Sequence, residues 1–150
     1  MAQVRCEVKG VYVVSGASTT VPLVLLSDDH NRMLPIYIGL FEAISINSAQ
    51  KKEILPRPFT HDLFLDLFSK FSITLRFLQI DCIEDSVYYA RLVLSDETRE
   101  EYIDCRPSDG IAIALRAGAP VFVEEDVLVA GGQKISELPA MTDLTTFLQK

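Results

Sequence analysis

Met33-Leu34-Pro35-Ile36-Tyr37-Ile38-Gly39-Leu40-Phe41-Glu42-Ala43-Ile44 is where the apolar pattern of this chain changes period. Up to Ile38 the apolar residues form a short, almost unbroken run of the kind that makes a strand. Past Gly39, apolar Phe41, Ile44 and Ile46, with Ala43 and Ala49, recur at helical spacing. The pattern predicts a helix from residue 40 to about 52. It ends before Pro56, because a residue preceding proline is pushed out of the α region.

Upstream, residues 5–14 alternate weakly and read as a strand with an irregularity at Gly10. A turn cluster at 15–18, an apolar run at 21–26 and the turn Asp28-Asp29-His30-Asn31 then lead into the strand 33–38. Three strands joined by short polar turns predict an antiparallel meander. Downstream, Pro58 precedes a second helix with Thr60 as its expected N-cap. There Leu63, Phe64, Leu67, Phe68 and Phe71 form a wide apolar face, with Asp62, Asp66 and Lys70 opposite. Residues 73–83 and 87–95 read as a hairpin, and 101–105 can add a strand. Ser108 is expected to cap a helix that Gly118 stops. Its body, Ile111-Ala112-Ile113-Ala114-Leu115, is apolar on every side, so the helix should be buried on more than one face. A short strand at 120–123, a helical turn at 126–130 and a terminal helix at 142–149 complete an α+β fold with a mainly antiparallel or mixed sheet. Residues 1–131 are read as the domain and 132–150 as a C-terminal helical extension packed on it.

At 150 residues the chain is long enough to bury a core without disulfides or metals. Its longest aliphatic runs are far shorter than a membrane span, and Met1-Ala2-Gln3-Val4-Arg5 lacks the apolar core of a signal peptide. A cytoplasmic protein without membrane contact is expected. Cys6, Cys82 and Cys105 have no metal-binding spacing and read as buried, reduced thiols. With His30 and His61 as the only imidazoles, a multi-histidine metal site within one chain is nearly excluded, although subunits could pool theirs. The net charge of −7 lies wholly in the second half: residues 1–75 carry seven Lys/Arg and seven Asp/Glu, residues 76–150 seven and fourteen. Passive nucleic-acid binders carry the opposite balance, although bound cations can invert a local field.

Two segments echo each other. Arg57-Pro58-Phe59-Thr60-His61-Asp62 and Arg106-Pro107-Ser108-Asp109 each set Arg-Pro before a hydroxyl residue and an acid at a helix start. An arginine beside exposed helix N–H groups makes an anion site. Asp62 and Asp109 can instead offer hard oxygen ligands to Mg²⁺ or Mn²⁺. A structural reading competes at each position. First-turn aspartates complement the helix dipole, each arginine can pair with the other segment's aspartate, and Glu42 falls at the third helical position, where glutamate caps. His61 can be a simple helix-start residue. No G-x-S-x-G elbow or phosphate-binding glycine loop is present, and nothing in the sequence positions a Ser/His/Asp triad.

Taken in order, Leu34-Pro35-Ile36-Tyr37-Ile38-Gly39 with Glu42-Ala43, then Arg57 to Leu63, then Arg106-Pro107-Ser108-Asp109-Gly110-Ile111-Ala112 resemble the bifunctional nuclease domain, over roughly residues 4–131. Gly110 departs from the pattern, which more often has alanine there. The resemblance implies a homo-oligomeric α+β domain that hydrolyses phosphodiester bonds in DNA and RNA with weak sequence preference. Carried over, Glu42, Asp62 and Asp109 would hold one or two Mg²⁺ or Mn²⁺ ions and bridge to the substrate phosphate. Arg57 and Arg106 would bind that phosphate, and His61 would act as general base or leaving-group acid. The alternative is a noncatalytic homo-oligomeric or anion-binding module in which these arginines and acids are structural.

Overall fold

Strands β1 (Gln3–Ser15), β2 (Thr20–Ser27) and β3 (Met33–Tyr37) form the expected antiparallel meander. The β1–β2 register shifts between Val8 and Gly10, where the sequence pattern breaks. The computed structural model describes residues 2–16 and 18–149, so Met1, Lys150 and Ala17 of the first turn lie outside the described residues. Helix α1 (Leu40–Gln50) starts directly after Gly39, and α2 (Thr60–Lys70) follows the proline-bounded loop. Strands β4 (Thr74–Glu84), β5 (Val87–Ser95) and β6 (Glu100–Cys105) make a second antiparallel set.

The two sets are joined by β7 (Val121–Glu124), which lies antiparallel to the start of β1 and parallel to β4. The strand order is β3-β2-β1-β7-β4-β5-β6, one mixed sheet. Helix α3 (Pro107–Ala117) lies against β4 and β5 and is flanked by α1 and α2. Ile111, Ala112, Ile113 and Ala114 are all buried, as a helix apolar on every side requires. Full burial contributes about 1.5–3 kcal/mol for each isoleucine. Gly118 ends α3 at φ 68°, a left-handed conformation that glycine adopts without steric cost.

Helix α4 (Glu125–Gly131) packs on β7, β4 and β3. The last segment forms a 3₁₀ turn (Ile135–Glu137), a two-residue strand β8 (Thr142–Asp143) on β1, and α5 (Leu144–Leu148). The terminal helix is shorter than its pattern predicts because Thr142 and Asp143 pair with Val13 and Tyr12. Asp143 instead caps α5, accepting from the Thr146 N–H at 3.2 Å, and Leu144 is fully buried. Among the described residues no helix is long and apolar enough to cross a membrane.

Two helix starts differ from their sequence reading by one or two residues. Phe59, not Thr60, is the N-cap of α2, and Arg106, not Ser108, is that of α3, with Pro107 in the first turn. Neither hydroxyl is needed at the cap of α2, since Asp62 reaches back to accept from the Phe59 N–H at 2.8 Å. Helix α2 is also turned away from its apolar stripe. Phe68 is buried, but Leu63, Phe64, Leu67 and Phe71 are exposed, and the polar start of the helix is what meets α1 and α3.

Candidate functional site

The starts of α1, α2 and α3 converge, and each delivers a polar side chain. On α1, Glu42 and Ser45 lie three residues apart and share a face. His61 comes from the first turn of α2, and Arg106 and Asp109 from the cap and first turn of α3. Together with Phe41 these residues line a cavity of about 310 Å³.

His61 bridges two partners. Its Nε2 lies 2.9 Å from Asp109 Oδ1 and its Nδ1 lies 2.6 Å from Ser45 Oγ. Asp109 is ionised and accepts only, so Nε2 carries the proton in that contact; a ring without a proton on Nδ1 accepts there from the Ser45 hydroxyl. This tautomer follows from the hydrogen-bond pattern. Arg106 donates from Nε to Asp109 Oδ2 at 2.8 Å and from Nη2 to Oδ1 at 3.2 Å. Glu42 Oε2 lies 3.9 Å from Arg106 Nη2. Burial alone would raise the Asp109 carboxyl, but the hydrogen bonds from Arg106 and His61 outweigh it and hold it below the ordinary carboxylate range. Asp109 in turn raises the Arg106 guanidinium further.

Gly39 matters here for its lack of a side chain. A Cβ at this position would collide with Oε1 of Glu42, whose carboxylate folds back over the helix start. The glutamate therefore serves the helix end and faces the cavity at once.

Asp62 belongs elsewhere. Arg116, in the last turn of α3, donates to its Oδ1 at 2.6 Å, and also to the Ala112 carbonyl at 2.9 Å and the Ser45 carbonyl at 3.3 Å. Burial alone would raise the Asp62 carboxyl, but the Arg116 guanidinium and the Phe59 N–H outweigh it and hold it low. Asp62, Arg116, Lys52 and Asp66 line a second cavity of about 710 Å³ that does not include Asp109. Arg57 is exposed and makes no ion pair with a described residue. Thus Glu42, His61, Arg106 and Asp109 are brought together, while Asp62 and Arg57 stand outside that cavity. Arg106 pairs within its own segment, so the cross-pairing of the two Arg-Pro segments does not form.

Sequence reasoning missed Ser45 and Arg116. The signals were spacing: Ser45 follows Glu42 by three, and Arg116 follows Asp109 by seven, each on one helix face. All three thiols are free, but only Cys6 is buried, Cys82 and Cys105 being partly exposed; burial pushes Cys6 and Cys105 up to about 12. One further acid–histidine group, Asp28-Asp29-His30, brings ligand-type atoms together. There Asp28 is already spent on the His30 and Arg32 N–H groups and the Arg32 side chain, a closed turn rather than an open ligand set.

For a divalent ion, Glu42 and Asp109 are the carboxylates that face this cavity. Asp109 Oδ1 already accepts from His61 and Arg106 and Oδ2 from Arg106, so an ion would have to compete with those bonds. Mg²⁺ is commonly held by one or two carboxylates, with water and phosphate completing its shell, and both groups face one cavity. Asp62 is not part of that set.

A small α+β domain with an acid–histidine–arginine cluster open to solvent where three helix starts meet is the class defined by this fold and site. The chain belongs to the bifunctional nuclease domain family, whose model matches residues 23–136. It is 39% identical over 117 residues to an uncharacterised protein of Mycobacterium tuberculosis, covering 77% of this chain and 70% of that protein. It is 26% identical over 113 residues to bifunctional nuclease 1 of Oryza sativa subsp. japonica, and 25% over 113 residues to bifunctional nuclease 2 of Arabidopsis thaliana. Each plant match covers 73% of this chain and 34% of the relative, so the chain spans about a third of those proteins.

Proposed function

We propose that this chain hydrolyses phosphodiester bonds in DNA and RNA, with weak sequence preference, at the Glu42–Ser45–His61–Arg106–Asp109 cavity. The observation that supports this best is the fixed line Ser45–His61–Asp109 beside a guanidinium with unspent donors. Arg106 gives two of its five N–H groups to Asp109, which leaves three for a phosphate and for the charge that develops on it. Ser45 and Thr60 both bring hydroxyls to the cavity lining; Ser45, itself buried, is the one bonded to His61. A water molecule attacks phosphorus and gives its proton to the Ser45 oxygen as the Ser45 hydroxyl proton passes to His61 Nδ1. The P–O bond to the leaving strand breaks, its oxygen takes the proton back from this relay, and Asp109 fixes the ring and stabilises the transient imidazolium. Glu42 and Asp109 would hold Mg²⁺ or Mn²⁺, which supplies Lewis-acid stabilisation of the phosphoryl oxygens when bound. Exposed Arg57 would take a neighbouring phosphate of the strand. Asp62 is a positioning residue: tied to Arg116, it fixes the helix turn that carries His61.

Self-association belongs to the same proposal. The exposed Leu63, Phe64, Leu67 and Phe71 of α2 offer an apolar surface for another copy of the chain.

The test is cleavage of single-stranded DNA and RNA by protein taken across a size-exclusion peak, with Mg²⁺, Mn²⁺ or EDTA. Activity should co-elute with the protein, stop with EDTA and fall about 10²-fold or more in Asp109→Asn. Cleavage that survives in folded Asp109→Asn places the chemistry elsewhere.

A further inference from the structure

The 310 Å³ cavity has a neighbour of about 450 Å³, and Glu42 and Arg106 line both. They form a ridge with a hollow on either side. Each hollow carries an aromatic ring that the fold leaves unpacked. Phe41, in the first turn of α1, is 82% exposed and lines the first. Tyr37, the last residue of β3, is 54% exposed and lines the second. Neither ring joins either hydrophobic core cluster or an aromatic pair among the described residues. The two stand four residues apart across Gly39, so the junction that aims Glu42 at the ridge also sets one ring on each side of it.

A guanidinium between two open aromatic faces is the complement of a nucleotide step, a phosphate with a base on each side. Base–aromatic stacking tolerates any sequence because every base has a π-face, and it needs unpaired, splayed bases. Resting on the reading of the site given above, we infer that a single strand lies across the Glu42–Arg106 ridge with the two bases flanking the scissile phosphate stacked on Phe41 and Tyr37, which selects single-stranded over duplex substrate. The net charge of −7 opposes a phosphate backbone, so stacking has to supply more of the affinity than charge does. The phosphate and base faces are common to DNA and RNA, so both strands are bound.

The experiment measures binding apart from cleavage. Fluorescence anisotropy in EDTA would follow labelled eight-nucleotide strands of DNA and of RNA, the matching duplexes, and a DNA strand without bases. Phe41→Ala and Tyr37→Ala should each raise Kd for the base-bearing single strands about tenfold. Phe41→Trp should restore it, and the baseless strand and the duplexes should bind weakly to every variant alike. Loss of the same size on the baseless strand, no loss in either alanine variant, or no binding of single strands by the wild type overturns the inference. So does a change of oligomeric state in Phe41→Ala that accounts for the loss, since a second copy would then cover the ring. A wild type that binds single strands through these rings but cuts none sinks the hydrolytic reading and leaves this inference standing.

Discussion

His61 enters the site with both ring nitrogens engaged, one on Asp109 and one on Ser45, so any proton it takes from a substrate passes through the serine hydroxyl. The neighbouring Asp62 has a different task. Its partner Arg116 is 9% exposed, and removing the carboxylate leaves that guanidinium with only two carbonyl acceptors. Breaking a fully buried pair costs about 3–5 kcal/mol; with Asp62 itself partly exposed, Asp62→Asn is expected to cost about 1–2 kcal/mol. That is roughly 3–6 °C in Tm for a chain of this size. The pH dependence follows from the lowered carboxyls of Asp62 and Asp109. A carboxyl held lower in the folded state stabilises fully above its unfolded value, about 3.9, and that stability is lost as pH falls through the folded value. Wild-type Tm should therefore drop below about pH 4, and Asp62→Asn should show a lower Tm at pH 7 with a shallower acid limb. Parallel curves for the two proteins would contradict this account of Asp62.

Helix α3 is seated so closely on the sheet that its first turn has no room to grow. A Cβ at Gly110 would run into the fully buried Leu78 side chain and come within 3.1 Å of Cys105 Sγ. Glycine costs up to about 1 kcal/mol in a helix interior and less near its end, whereas overpacking a core costs about 1–3 kcal/mol. Gly110→Ala is therefore expected to lower the urea midpoint, by about 1 kcal/mol in stability; a raised midpoint would show that Leu78 yields freely. Several elements were legible from local pattern alone. The change of period at Gly39 marks the strand-to-helix junction, and Ile111 to Ala114 announce a helix buried on all sides. The orientation of α2 was not legible, because its apolar stripe is stronger than the few polar contacts that seat it. Those contacts, His61 with Ser45 and Asp109 and Asp62 with Arg116, join residues 16 to 54 positions apart. The caps slipped for a related reason: Asp62 supplies the acceptor that a hydroxyl at Thr60 was expected to give.

At the scale of the whole molecule, topology does what no local pattern states. Strand β7 slots between β1 and β4, fuses two meanders into one sheet and lays α3 where α1 and α2 can meet it. The membership of Glu42, His61, Arg106 and Asp109 in one cluster is a product of that arrangement, although the repeated Arg-Pro segments already marked the helix starts involved. Net charge acts at this scale too. With −7 overall and only Arg57 and Arg106 assigned to phosphates, single-strand binding should depend weakly on salt. The slope of log affinity against log salt should lie near −1.4, from about −0.7 for each phosphate contact. A slope steeper than about −4 would require a basic surface that this account does not contain. The most direct test of the central claim, that a phosphodiester sits against Arg106 and Asp109, is an NMR titration with a non-hydrolysable dinucleotide, following backbone amides and arginine Nε–H signals. Shifts are expected at residues 41–45, 61 and 106–109 with Arg116 Nε–H unmoved; shifts centred on Lys52, Asp62 and Arg116 would place the ligand in the other cavity and contradict that claim.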